Sequence, residues 1–461
     1  MFTVDTLLND GFMGDNHQVI AIQEQVEQQL GPRFRKGAVL KDNDPESANA
    51  LEKTLTTADQ HILIVSGSHG YDFIKKVRKL VAEKKPIVIW VGHQDPGLIA
   101  EETLFKLVGL PTHVTEGNPA LELTFKERLV AMQAVPNTLK ADELSGEKAK
   151  WNSTYPEEQI PDAPEGYIGV FLGGDAPEPN NRYHYWSEEN AHQLGQKFGQ
   201  MALQSGKFLL ITNGPRTGKF YPNSQDLETI NPSTGKLNDP VVRQSENIAW
   251  LSYHSLTAEH KMSPDKNRIP HALGAPLDPV SAAFIQGVID SGLNQARYRF
   301  IDFQFGKSAY KAIISALVEP TQSKSIACYS AESISYAEIG YFAENTFGFR
   351  VDSMNEGHQR ALQRFSEQIH FIGVLDWTRP LAEQSLDITL KQQWIQQCGN
   401  KDAEHVAQSL LRMINRPAEQ QIPTKQVLPD PLAYAFQALS TQQDGTTPIT
   451  SEQSQRLVLE Q

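Results

Sequence analysis

The chain has 461 residues, 39% hydrophobic and 21% charged, with a formal net charge of -13. That acidity excludes a broad nucleic-acid surface, which needs a basic stripe, and argues against docking to anionic lipid. Two cysteines, Cys328 and Cys398, supply neither a disulfide framework nor a cysteine-built metal site, and they point to reducing cytosol.

The chain opens on an apolar start and the polar loop "LLNDGFMGDNHQ" (7–18), which runs into a helix ending at Gly31. "HILIVSG" (61–67) and "KPIVIWVG" (85–92) read as buried parallel strands, with the helix "YDFIKKVRKLVAEK" between them. "THVTEG" (112–117) reads as a further short strand and turn. A polar, proline-dotted stretch at 136–166 reads as an interdomain link.

The alternation then restarts. "YIGVFLGG" (167–174) and "KFLLITNG" (207–214) are strands flanking a helix that Ser187 caps. Residues 219–280 are too long and too polar for an ordinary loop and read as an insertion. Regular elements resume with "YRFIDFQFG" and "AYKAIISALV" and continue to "AEHVAQSLLRMIN". Beyond 416 the Gln-, Pro-, Thr- and Ser-rich composition predicts a flexible tail.

Strands alternating with helices predict an α/β protein of two facing, doubly wound, Rossmann-like domains. The boundaries fall at 1–160 and 161–416, with the tail at 417–461. No apolar run reaches the roughly 18 residues of a membrane span, and no leader pattern is visible. The expectation is a soluble, cytoplasmic protein without an integral membrane segment.

Ligands in such sheets bind beyond the carboxyl ends of the strands. The candidate residues therefore lie on strand-end loops. Asp10, Asp15 and His17 could bind or deprotonate a hydroxyl, beside Gly11 and Gly14 for close backbone approach; a plain Asn/Asp-capped turn is the competing reading. His69, His93 and Asp95 end two further strands without metal-ligand spacing, so no metal site is expected. Gly173 and Gly174 resemble a phosphate-approach turn. "TNGPRTGK" (212–219) fails as a P-loop, because one residue is missing between the glycines and Phe220 stands where Ser/Thr is required. Arg216 could still pair with a phosphate. "YSAESISYAEIG" (329–340) brings Glu332 and Glu338 to a strand–helix junction, where a carboxylate suits a ribose and a helix cap is the plainer alternative.

The order of these loops resembles the mitochondrial-fission Elm-type ("elongated mitochondria") family, which has many bacterial members, over about residues 4 to 415. The matching residues are Asp10, Gly11, Gly14 and Gln18, then Gln94, Asp95 and Pro96, then Gly173 and Gly174 with Trp186 downstream. Arg216 and Thr217, Ser333 and Ser335, and Arg379 and Pro380 follow. The chain departs from the pattern at Asp15, His17, Gly97, Pro215, Glu332 and the position of Glu338, as a divergent bacterial-type member would.

The resemblance implies a fold like the GT-B arrangement of nucleotide-sugar glycosyltransferases. It also implies an activity that is glycosyltransferase-like or nucleotide-sugar epimerase-like and needs no metal or other cofactor. A nucleotide sugar would be the substrate. By that architecture the second domain would hold the nucleotide, through Gly173, Gly174, Arg216, Thr217, Ser330, Glu332, Ser333, Ser335 and Glu338. The first would take the acceptor, through Gly11, Gly14, Gln18, His93, Gln94 and Asp95, with Asp10, Asp15 or His17 as base. The alternative is a non-catalytic interaction or adaptor protein, related to membrane fission or exported as a bacterial effector, that meets protein partners through its insertion or tail.

Overall fold

The computed structural model describes residues 1–9, 13–42, 44–57, 60–174, 176–178, 182–184, 186–214, 217, 278–303, 307–319, 325–384, 386–398 and 401–415, with four two-residue strand pieces between 230 and 249. Most of the expected insertion (219–280) and all of the expected tail (417–461) lie outside the described residues. Met1–Leu411 forms one compact unit and Arg412–Gln461 a second.

The first domain is built from β1 (Phe2–Leu8), α1 (Met13–Leu30), β2 (Phe34–Lys41), α2 (Glu46–Thr57), β3 (Gln60–Ser66), α3 (Gly67–Lys76), α4 (Arg78–Lys84), β4 (Ile87–Val91), β5 (Leu107–Pro111), α5 (Thr112–Thr115), α6 (Pro119–Phe125) and β6 (Leu129–Met132). Its six strands run parallel in the order β2-β1-β3-β4-β5-β6. The central strands are apolar throughout because helices cover both faces; Ile62, Leu63, Ile64, Val88, Ile89 and Trp90 are fully buried.

The stretch 112–117 differs from the strand expected there. The Thr112 carbonyl accepts from the Glu116 amide at 2.8 Å and from the Thr115 hydroxyl at 3.2 Å. These local bonds satisfy the backbone as a helical turn, and the strand is the preceding Leu107–Pro111.

The second domain contains α7 (Ala141–Leu144), α8 (Glu147–Thr154), β7 (Tyr167–Phe171), α9 (Glu188–Ser205), β8 (Phe208–Thr212), α10 (Pro279–Asp290), β9 (Tyr298–Ile301), α11 (Tyr310–Val318), β10 (Ile326–Ser330), β11 (Thr346–Phe349), α12 (Glu356–Gln363), β12 (Gly373–Val374) and α13 (Ile388–Gln397). Its strands are again parallel, in the order β9-β8-β7-β10-β11-β12. Ser187 caps α9 by accepting from the Asn190 amide, and Gly206 (φ 75) ends it.

The segment read as a link packs into this domain. Ala134, Val135, Leu139, Leu144, Trp151 and Ile160 join the apolar cluster around β7 and β8. The second domain's packing therefore starts near residue 134, ahead of the boundary expected at 160.

The chain then crosses back. Val406 of α14 (Asp402–Ile414) approaches Gly109 of β5. The buried Asp402 carboxylate accepts from the amides of Gln133 and Ala134, both at 2.8 Å, where the chain leaves β6. Asp402→Ala strands two buried N–H groups and is expected to cost about 2 kcal/mol of stability. Urea denaturation midpoints of Asp402→Ala and Asp402→Asn measure this; an alanine variant as stable as the parent removes the role of this tie.

Candidate functional site

Each sheet has one point where the strand order reverses. In the first domain it lies between β1 and β3, and in the second between β7 and β10. A crevice opens beyond the strand ends at such points.

At the first switch point Asn9 and Asn16 lock together. The Asn9 amide donates to Asn16 Oδ1 at 2.7 Å, and Asn16 Nδ2 donates to the Asn9 carbonyl at 2.5 Å. Asp15 Oδ1 accepts from Gln18 Nε2 (3.1 Å) and from the Ser66 hydroxyl (3.2 Å), with His93 Nδ1 at 4.0 Å. Gly67 has φ 64 and lies so close to the Asp15 carboxylate that a Cβ would collide with it. Asp15, Gln18 and His93 are thus brought together.

The other first-domain candidates are placed elsewhere. Burial and the charge of Lys311 push His17 down to about 4, so it stays neutral and a weak proton acceptor near pH 7. Gln94 Nε2 lies 3.1 Å from His358 Nε2 in the second domain. Asp95 accepts from the amides of Gly97 and Leu98, both at 2.9 Å, and from Asn118 Nδ2 at 3.4 Å, so it organises its own turn. Asp10 and Gly11 lie outside the described residues.

At the second switch point the Gly173 amide donates to Ser330 Oγ at 2.5 Å and the Gly174 amide to Glu332 Oε1 at 2.7 Å. Ser330 Oγ also donates to Glu332 Oε1 at 3.1 Å. A Cβ at Gly173 would overlap the Glu332 carboxylate. Thr217 is buried and serves the backbone: its hydroxyl accepts from the Gly214 amide at 2.9 Å and donates to the Gly173 carbonyl. The Ser333 amide donates to the Ser330 carbonyl at 3.0 Å.

Glu338 is buried and accepts from the Tyr310 hydroxyl at 2.7 Å. Burial pushes its carboxyl up to about 8, so it holds a proton at neutral pH and presents no carboxylate to a ribose. Arg216 lies outside the described residues.

The two rims meet. Ser335, in the second domain, touches the first turn of α1: a Cβ at Gly14 would sit 2.9 Å from Ser335 Oγ. Sequence reasoning passed over Asp42, the residue just after β2. Its Oδ2 accepts from Asn9 Nδ2 at 2.6 Å and lies 3.1 Å from His69 Nδ1. His69 carried a strand-end signal in the sequence, whereas Asp42 becomes its neighbour only through the strand order.

Among the described residues, no group of three or more His, Cys, Asp or Glu side chains could hold a metal ion. Nor is any helix among them long and apolar enough to cross a membrane.

Two parallel, doubly wound domains joined in one unit, with their strand-end loops in contact, define an α/β protein of the GT-B arrangement. Residues 13–231 match the family described as Mitochondrial fission ELM1, the family that the motifs resemble. No curated protein matches the chain.

Similar solved structures include a Methanocaldococcus jannaschii UDP-GlcNAc 2-epimerase in complex with UDP-GlcNAc and UDP, at 9% identity, 90% of this chain, 99% of that one and a TM-score of 0.41. A Polygonum tinctorium UDP-glucosyltransferase has 10% identity, covers 89% and 97% of the two chains and has a TM-score of 0.43. A Rickettsia africae glycosyltransferase has 9% identity, coverage of 90% and 93% and a TM-score of 0.38.

Proposed function

We propose that the protein binds a nucleotide-activated sugar between the carboxyl ends of its two sheets and carries out glycosyl transfer or related sugar-nucleotide chemistry. The observation that carries this reading is the buried Glu332 carboxylate at the second switch point, held by Gly174 and Ser330. A carboxylate fixed at that place suits the two hydroxyls of a ribose. Arg216 would then balance the diphosphate and assist its departure, and the first domain's rim around Asp15 would take the acceptor.

The test is a thermal-shift panel of nucleotides and nucleotide sugars on the full chain, run beside Glu332→Gln and Arg216→Ala. A ligand at a hundredfold its dissociation constant stabilises the folded state by about 2.7 kcal/mol. A dose-dependent rise with one nucleotide family, weakened in both variants, is the expected result. No rise across the panel at millimolar concentration overturns the reading.

One observation favours a second reading, that of an interaction protein which has kept the fold. The Gly173 and Gly174 amides, which a phosphate would use, are already satisfied by Ser330 and by the carboxylate of Glu332. Under that reading the panel is silent, and deleting 219–277 or 417–461 removes partner binding without disturbing the folded core.

A further inference from the structure

The rim of the first domain carries a side-chain relay of which the sequence reading singled out only His69. Asn16 fixes the backbone of Asn9 through two hydrogen bonds, and Asn9 Nδ2 donates to Asp42 Oδ2. The same oxygen lies 3.1 Å from His69 Nδ1. Four residues from four elements of the chain, the β1 end, α1, the β2 end and α3, thereby converge at the carboxyl end of one sheet.

A carboxylate can only accept. Asp42 therefore requires the proton of a neutral His69 to sit on Nδ1, which puts the ring's lone pair on Nε2. The Asp42 side chain is 11% exposed and that of His69 21%. The orienting group is thus sheltered while the ring keeps access to solvent. A histidine whose tautomer and direction are set by a sheltered carboxylate, itself steered by a third group, is the arrangement by which a base is held ready to remove a proton. His17, by contrast, is a weak acceptor beside Lys311.

We propose that His69 is the general base toward the acceptor and that Asp42 is its positioning residue. This deepens the nucleotide-sugar reading and rests on it. In the step, the acceptor's O–H bond breaks and its proton passes to His69 Nε2. The acceptor oxygen bonds to the sugar's anomeric carbon. The bond from that carbon to the diphosphate oxygen breaks, and its electron pair leaves with the nucleoside diphosphate. With water as acceptor the same step is hydrolysis, so turnover can be followed whichever alcohol is the natural acceptor.

The experiment measures nucleoside diphosphate release from the nucleotide sugar giving the largest thermal shift, with water and with a simple aryl alcohol as acceptors. It compares the full-length parent, His69→Gln and Asp42→Asn. Removing a general base is expected to lower kcat by about 10²- to 10⁴-fold, with the donor's thermal shift and KM unchanged. Asp42→Asn is expected to lower kcat less. It should also convert the His69 ring from one tautomer to a mixture, read by ring-nitrogen NMR with His69→Gln giving the assignment.

Turnover unchanged in His69→Gln overturns the assignment of the base and leaves the binding reading standing. So does a parent that binds donor but releases no diphosphate with either acceptor. An unaltered tautomer in Asp42→Asn overturns the positioning role, and this readout needs no activity. Absence of any donor shift in the parent removes the nucleotide-sugar reading and the base with it, and the thermal-shift arm separates that failure from the others.

Discussion

An alanine at Gly195 is expected to destabilise the protein by about 3 kcal/mol, against the gain that helix propensity alone would give. Gly195 lies in the middle of α9, and a Cβ there would overlap the carbonyl oxygen of Phe284 in α10. Gly287 of α10 stands in the reciprocal position against the His192 carbonyl. The contacts advance in the same direction along both helices, Gly195 to Phe284 and Gly199 to Val288. The helices are therefore parallel, as two helices feeding the parallel strands β8 and β9 on one face must be. Backbone cannot rotate aside as a side chain can, so the added methyl must push α10 off α9. Gly199→Ala is the comparison. A Cβ there meets the Ser291 hydroxyl, which can turn away, and the Ser291 Cβ at 2.6 Å. Its nearest backbone atom is the Val288 carbonyl oxygen at 3.2 Å, so it should destabilise less than Gly195→Ala. Urea denaturation should rank Gly195→Ala and Gly287→Ala well below Gly199→Ala. A Gly195→Ala variant at or above parental stability would contradict the close packing.

What could be read in the sequence follows the same physics. The buried strands were legible because an all-parallel sheet covered on both faces needs continuous apolar runs, as "ILIV" and "IVIW" are. β2 was not: "FRKGAVLK" lies at the sheet edge with mixed exposure and carries no period. The helix expected from Tyr71 to Lys84 starts at Gly67 and breaks at Val77 (φ -99, ψ 18) into α3 and α4. Its apolar spacing continues across the break, so periodicity could not show it. In the site, Asp15 drew notice as a polar residue of the opening loop and Gln18 through the family resemblance; that both lie in α1 and share a hydrogen bond emerges only from the fold. Glu338 was placed at the ribose on local sequence alone, and only the tertiary fold brings Tyr310 onto it. The Asp42–His69 pair joins residues from different elements, whose proximity depends on β1 lying between β2 and β3.

Acid should act against the folded state through histidines held neutral, His113 and His17 foremost. His113, 5% exposed, packs edge-on against Phe365 with ring centroids 6.1 Å apart, and its Nδ1 has no hydrogen-bond partner among the described residues. Burial, then the charges of Arg364, His93 and Arg360, push it down to about 3. Burial and Lys311 push His17 down to about 4. A histidine with a depressed folded-state pKa is neutral in both states above its unfolded value near 6.5, so its stabilising share is complete there. As the pH falls below 6.5 the unfolded chain takes up the proton first, and that share is lost toward the folded pKa. Each proton is worth about 1.4 kcal/mol per pH unit, so each histidine removes about 3 kcal/mol between pH 6.5 and 4.

Glu338 works in the opposite direction. Its folded pKa of about 8 exceeds the ordinary 4.5, so the folded state binds the extra proton between those values and gains stability as the pH falls from 8 to 4.5. Lys391, pushed down to about 7 by burial, has its window above pH 7 and contributes no slope in acid. His61, lowered by burial, acts in the same direction as His113 and His17, whereas Asp5 and Asp402, raised by burial, act with Glu338. The His113 share is therefore read from a variant and not from the parent's curve alone. The decisive measurement is urea unfolding of the parent and His113→Leu at steps from pH 7 to 4. The leucine keeps the apolar contact with Phe365 and loses the titration, so the parent's curve should fall more steeply by about one proton. Parallel curves would show that His113 is not held neutral by the fold.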